Sequence, residues 1–240
     1  MLGGKVYLVG AGPGAVAYLT VQAYQLLQTA EVLVHDALVS SELLDLLPPS
    51  CDRINVGKRG GQPSPAQADI DQILVNRCQQ GKQVVRLKSG DPFIFGRSAS
   101  EIQALKAADC PFEVVPGLSS ALAAPLLAGI PLTDPVLSSQ FVVLTAHDLD
   151  LHNWEALAHM ATLVILMGGR SLTEITQRLM HRGKRGETPV AVIRWAGQPQ
   201  QQVWSGNLLT IAQKTKGETL SPCIIVIGEV VGLSAYLQSC

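Results

Sequence analysis

The order in which apolar runs alternate along the chain is the feature that most restricts its fold. "KVYLVG" (5–10) reads as a buried strand, and "TVQAYQLLQTA" (20–30) carries apolar residues at helical spacing behind Thr20, a suitable N-cap. "EVLVHD" is a second strand, "SSELLDLL" a short helix stopped by Pro48 and Pro49, and "DRINVG" a third strand. "AQADIDQILVNRCQQG" is a helix closed by Gly81, "KQVVRLKSGD" a fourth strand, "SASEIQALKAA" a helix and "FEVVPG" a fifth strand. Past the proline-rich "GIPLTDP" a second cycle begins. Its strands are "QFVVLTAH", "TLVILMGG", "PVAVIRWAG", "QQVWSG" and "CIIVIGEVV", and its helices "WEALAHM", "LTEITQRLMHRG" and "LLTIAQKTKG". Alternation of this kind implies parallel strands with helices packed on both faces. The expected fold class is α/β: two α/β domains, 1–117 and 118–240, each a mostly parallel central sheet flanked by helices.

The first strand runs into "VGAGPGAVAYLT" (9–20), where Gly10, Gly12 and Ala15 fit the loose dinucleotide fingerprint G-x-G-x-x-G/A. Asp36 follows at about the distance of a ribose-binding carboxylate. In a dinucleotide fold the glycines lead straight into a helix whose N-terminus takes the pyrophosphate. Here the glycines end at Gly14 and the helical pattern starts near Thr20, and Pro13 removes one N–H from any anion nest. The other reading of the loop is a tight turn in which glycine supplies positive φ, compatible with any ligand.

Composition narrows the function. With 47% hydrophobic and 15% charged residues the chain is globular, and its net charge of -1 supplies no field for nucleic acid or an anionic membrane. A polyanionic ligand would have to be held by local basic residues. The cysteines (Cys51, Cys78, Cys110, Cys223, Cys240) are scattered with no C-x-x-C, which reads as reduced thiols in a cytoplasmic protein. "MLGGKVYLVGAGPG" lacks the apolar core of a signal peptide. Leu118 to Leu132 is broken by Pro125 and Pro131, so it reads as a buried helix and linker rather than a membrane span. His147, His152 and His159 lack ligand spacing, and no metal is expected. "HRGKRG" (181–186) reads as a helix end capped by Gly183, where cations complement the dipole.

Beyond the loop, "HDALVS", "VGKRGG", "VVRLKSGDPFIFGR", "FEVVPGLSSALAAPLLAGIPLT", "LVILMGG" and "SPCIIVIGEVV" follow in order. Together with "GAGPG" they resemble the tetrapyrrole (class III) methyltransferases, and within them the uroporphyrinogen-III C-methyltransferases, from about Lys5 to Val231. The resemblance implies a homodimeric enzyme with S-adenosyl-L-methionine in the cleft between its two domains and S-adenosyl-L-homocysteine as the product. Two methylations of uroporphyrinogen III would give precorrin-2, the branch point toward sirohaem and cobalamin. Carried over by position, Pro13, Ser89, Gly90, Asp91, Ile94, Ser119, Ser120, Met167 and Ala196 become cofactor contacts. Asp36 matches the proton acceptor, Lys58 the proton donor and Arg97 an arginine beside the substrate. Arg59 in "GKRGG" and Glu101 in "FGRSASE" join Arg97 as substrate-side candidates.

The chemistry suits these residue types. A pyrrole carbon attacks a methyl group in line with the departing sulfur, and the ring must afterwards lose a proton to a base within reach. Asp36 sits just past a strand, where α/β crevices bind ligands; its alternative role is a turn-forming aspartate. The substrate is a polycarboxylate, which arginine grips bidentately and lysine as a point charge; ordinary solvated charge is the alternative for any one of them. At Ser89 the family has glycine, and a left-handed backbone there would be strained by a Cβ at about 1–3 kcal/mol. Ser100, Asp134, Pro135 and Ala196 are further departures. A methyltransferase of a related tetrapyrrole, an inactive paralogue that holds tetrapyrrole or cofactor, and a nucleotide-dependent oxidoreductase are the competing readings.

Overall fold

The structure is a computed structural model and describes residues 3–57 and 66–237. It divides into two units, Met1–Ser119 and Ser120–Cys240, each built on a five-stranded sheet.

In the first unit, β1 (Lys5–Gly10), β2 (Val32–His35), β3 (Asp52–Asn55), β4 (Gln83–Lys88) and β5 (Phe112–Val115) lie in the order β3-β2-β4-β1-β5. Every pairing is parallel. Each carboxyl end therefore emerges at the same edge. The connecting helices are α1 (Val21–Gln28), α2 (Ser41–Leu44), α3 (Gln67–Gln79) and α4 (Ser98–Ala107). The α1 helix begins where Thr20 Oγ1 accepts the Ala23 N–H at 3.2 Å, and Gly81 ends the α3 segment at φ +78°. Strand alternation sorts the side chains. Val9, Leu33, Val85 and Leu87 pack with Ala23, Leu27 and Leu43 of α1 and α2, while Val6, Leu8, Val32, Val34 and Val84 pack with Ile70, Leu74 and Leu105 of α3 and α4. The sheet is thus doubly wound, with apolar cores on both faces.

The second unit opens with α5 (Ser120–Leu127) and continues through β6 (Phe141–Thr145), α6 (Trp154–Ala158), β7 (Thr162–Leu166) and α7 (Leu172–His181). It ends with β8 (Pro189–Arg194), β9 (Gln202–Asn207), α8 (Ile211–Lys214), β10 (Cys223–Ile227) and α9 (Ser234–Leu237). The expected mostly parallel sheet needs correction here. The order is β6-β7-β10-β8-β9, and only β6 and β7 pair in parallel; β10 runs antiparallel to both β7 and β8, and β9 antiparallel to β8. The connection 195–201 between β8 and β9 holds no helix and is too short for a parallel crossover, so it closes a hairpin. Strand β10 then fills the slot left between β7 and β8. Those two still run in one direction, which brings Met167 and Ala196, just beyond their carboxyl ends, to one edge of this sheet.

One face of the second sheet packs Leu163, Ile165, Val190, Val192 and Ile225 under α6, α7 and α8, and the other packs Val164, Ala191, Ile193 and Val226 against Ala121 and Ala124 of α5. "HRGKRG" is a helix end: Gly183 has φ +92° and its N–H reaches Met180 O, while Lys184 Nζ donates to the Ala158 and Met160 carbonyls.

Cys51, Cys78, Cys110 and Cys223 are buried and unpaired. Burial, reinforced by the neighbouring Cys110, pushes the Cys78 thiol up to about 12, and burial pushes Cys223 up to about 11. The thiolate is the reactive form. Native protein treated with a thiol reagent at pH 8 is therefore expected to leave these four unmodified, and guanidinium to expose all four, as read by peptide mapping. Modification of Cys78 in the folded chain would contradict this packing.

Candidate active site

At the carboxyl edge of the first sheet the strand ends meet through backbone. A Cβ on Gly10 would lie 2.4 Å from Gly117 Cα and 2.7 Å from Gly90 O, and one on Gly117 would lie 2.3 Å from Gly90 O. Gly12 and Gly90 exchange backbone hydrogen bonds at 3.1 and 3.0 Å, and the Ala11 N–H reaches Lys88 O at 2.7 Å. The glycines of "GAGPG" therefore serve close approach of β1 to the loops after β4 and β5. No helix N-terminus follows them: residues 16–18 form a 3₁₀ turn before α1 starts at Val21. The arrangement does not match a pyrophosphate loop.

Asp91 ties the loop after β4 into this contact. One carboxylate oxygen accepts the Phe93 N–H at 2.8 Å, and the other accepts the Gly117 N–H at 3.2 Å. Ser98 Oγ closes the loop by donating to Pro92 O at 2.6 Å. The loop so held presents Phe93, Ile94 and Phe95 to the exterior; Phe93 is 64% exposed. Ser89 stays outside the left-handed region, so the strain expected there does not arise. Left-handed backbone falls at other non-glycine positions: Phe95, Arg97, Met167 and Trp195, besides Asp109. Four of these five lie in, or next to, segments singled out from the sequence, and such backbone strain tends to collect at functional sites.

A charged cluster lies one layer below. Val84, Arg86 and Lys88 share a face of β4, and Val32, Val34 and Asp36 share the same face on and just beyond neighbouring β2. Helix α4 packs on that face and offers Glu101. Arg86 Nη2 donates to Asp36 Oδ1 at 2.6 Å, its Nε to Glu101 Oε1 at 2.9 Å and its Nη1 to Leu87 O at 3.3 Å. Lys88 Nζ reaches Glu101 Oε2 at 2.6 Å. Asp36 also accepts the Ser89 N–H at 3.3 Å. Burial opposes the Arg86 charge, but Asp36 and Glu101 outweigh it and raise the guanidinium above its ordinary value. Burial, and then the Arg86 charge, lower Lys88.

The candidates named from the sequence separate by depth. Asp36 keeps a third of its side chain exposed, whereas Glu101 is fully enclosed with both oxygens engaged. Glu101, expected on the substrate side, thus faces the interior of its own unit. Arg97 is exposed at the N-cap of α4. Pro13 and Asp91 are half-buried, and Gly90 is buried against Gly12. Ser119 ends the first unit buried, and Ser120 begins α5. Met167 is 51% exposed, and Ala196 is half-buried. Lys58 and Arg59 lie outside the described residues. Arg86 and Lys88 were missed. Their signal is two basic residues at strand spacing in the otherwise apolar "VVRLK", which demands buried acids as partners.

The family profile of the Tetrapyrrole (Corrin/Porphyrin) Methylases matches residues 5–212. The chain belongs to that family. Among tetrapyrrole methylases it is 60% identical, over 97% of its length and 96% of the relative's, to uroporphyrinogen-III C-methyltransferase of Synechococcus elongatus. It is 44% identical, over 98% and 94%, to the S-adenosyl-L-methionine-dependent uroporphyrinogen III methyltransferase of Methanosarcina barkeri. Uroporphyrin-III C-methyl transferase of Thermus thermophilus, solved with S-adenyl homocysteine, superposes with a TM-score of 0.82 at 34% identity, covering 95% of this chain and 99% of that one. The methylase site suits a cofactor that carries an adenosyl group: the exposed apolar side chains of Phe93, Ile94 and Phe95 stand beside the close-packed strand ends.

The backbone contact makes a prediction. Gly10→Ala forces the β1 and β5 ends apart and should destabilise the methylase by about 1–3 kcal/mol. That lowers Tm by roughly 2–4 °C per kcal/mol for a chain this size. Gly232→Ala meets nothing within 4 Å and serves as the control. Equal melting temperatures for the two variants would show that the loops yield easily.

Proposed function

We propose that this chain is an S-adenosyl-L-methionine-dependent methyltransferase that converts uroporphyrinogen III to precorrin-2 by two methylations. The observation that carries the reading is the 60% identity to the Synechococcus enzyme over nearly the whole of both chains. S-adenosyl-L-methionine supplies an electrophilic methyl group: the new C–C bond forms as the C–S bond breaks, and the bonding pair stays on sulfur. The residues of this chain position, and then deprotonate, the ring.

In this reading Pro13, Ser89, Gly90, Asp91, Ile94 and Ser119 of the first unit, and Ser120, Met167 and Ala196 of the second, contact the cofactor. Asp36 takes the proton that the ring system gives up once methylation of a fully substituted ring carbon has left it cationic. It suits that role because its carboxylate is at the carboxyl edge of the sheet, held in place yet partly exposed. Lys58 returns a proton, and Arg59 and Arg97 grip substrate carboxylates; the exposed guanidinium of Arg97 at the start of α4 supports this assignment. Glu101 serves the substrate side through Arg86 rather than by contact. The reading extends to a homodimer, for which the exposed Leu122 and Leu126 of α5 offer an apolar surface, and to the cytoplasm, where the unpaired thiols stay reduced. Among the described residues no helix is long and apolar enough to cross a membrane.

S-adenosylhomocysteine at a hundredfold excess over its Kd should stabilise the native protein by about 2.7 kcal/mol. Thermal unfolding should show the rise with this ligand and none with NADH. A rise with NADH alone would revive the oxidoreductase reading.

Asp36→Asn removes the base with little change in volume. Methyl transfer in a single turnover, followed by mass spectrometry of the oxidised tetrapyrrole, should slow by about 10²–10⁴-fold while calorimetry finds nearly native cofactor affinity. Lost affinity with normal transfer at saturation would make Asp36 a cofactor ligand instead.

A further inference from the structure

We infer that Arg86, clamped by Glu101 and steadied through Lys88, is a positioning residue that fixes the carboxylate of Asp36 for proton transfer. The inference rests on the reading of Asp36 as the proton acceptor. Asp36 lies just beyond the end of β2, its backbone N–H still donating to Leu87 O at 3.3 Å. Its carboxylate is held by two further donors. Arg86 Nη2 binds Oδ1 at 2.6 Å, and the Ser89 N–H points at Oδ2 from 3.3 Å. Both come from β4 or the residue that follows it, so the orientation of the carboxylate is set by its neighbour in the sheet.

Arg86 can serve this purpose because its own freedom is gone. Only 4% of its side chain is exposed, and Nε and both Nη atoms have partners. Glu101 is 0% exposed and splits its carboxylate, with Oε1 on Arg86 and Oε2 on Lys88. The planar guanidinium bridges two carboxylates at once, which the single ammonium of a lysine cannot do in the same geometry. Lys88 bonds Glu101 and makes no hydrogen bond to Asp36, so it acts one step further back.

The charges also balance. Arg86 and Lys88 face Asp36 and Glu101, and the four sum to zero. When Asp36 accepts a proton, the set carries one net positive charge; without Glu101 it would carry two, in a buried place. Glu101 therefore lets Asp36 change charge without driving Arg86 away.

A double-mutant cycle tests the idea. Arg86→Lys and Glu101→Gln are each made in the native chain and in Asp36→Asn. Single-turnover methyl transfer at saturating S-adenosylmethionine and uroporphyrinogen III is measured together with the calorimetric Kd of S-adenosylhomocysteine. In the native background each variant should slow transfer by about tenfold to hundredfold, the usual penalty for a misplaced reacting group, while Kd changes less than about twofold. In the Asp36→Asn background neither should slow transfer further. The same loss in both backgrounds, or no loss in the native one, overturns the positioning role. Where Arg86→Lys does not fold, the near-isosteric Glu101→Gln decides alone. Native transfer by Asp36→Asn itself is a separate result, read without touching Arg86 or Glu101. It would refute the proton-acceptor reading and the positioning role with it.

Discussion

The contact among Gly10, Gly90 and Gly117 governs the upper edge of the first sheet. Backbone packed on backbone leaves no side-chain rotamer to absorb error, so the loops after β1, β4 and β5 hold one another in place. Asp91 then couples that contact to the apolar loop through Gly117 and Phe93. A site assembled this way is organised before any ligand arrives, which reduces the ordering that binding must impose.

The layer beneath follows from strand period alone. Once β2 and β4 are neighbours in parallel register, with Val34 opposite Arg86, alternation puts Asp36, Arg86 and Lys88 on one face. Helix α4 covers that face. The loop that leads into it, held by Asp91 and Ser98, sets where Glu101 falls. The surface loop and the buried cluster are thus two consequences of one stretch, "RLKSGDPFIFGRSASE". Changes in the loop would be felt by the acid below, since both hang on the same backbone.

Much of this was legible in the sequence. Among the described residues, the ten strands and the longer helices stand where the hydrophobic periods put them, because each pattern had a turn or cap to bound it. The direction of the second sheet was not legible. Alternating elements suggested crossovers, but pairing depends on which slot a late strand fills, and β10 inserts between two strands formed earlier in the chain. In the site, the helix start at Thr20 correctly argued against a pyrophosphate loop, although Gly10, Gly12 and Ala15 matched its pattern. Glu101 went to the surface side because a motif gives a residue's neighbours in sequence and not its depth. Arg86 and Lys88 were hidden for a related reason. The eye reads "VVRLK" as a strand with polar interruptions, whereas burial on both faces turns each interruption into a demand for a partner.

That demand bears on why the cluster exists. A buried ion pair is poor evidence of stability, since well-packed apolar residues of similar size often do as well or better by about 1–4 kcal/mol. Strand β4 could have continued as valine and leucine, and α4 could have offered an apolar residue at 101 to match. The first unit instead encloses four charges, and only Asp36 among them keeps a substantial exposed face. On stability alone the cluster has no advantage over an apolar core. It is accounted for when the exposed carboxylate must be held in one direction, because direction is what an apolar core cannot supply. The three enclosed partners are then the support for one group at the surface, and the strand that carries two of them is also the one that leads into the loop proposed for the cofactor.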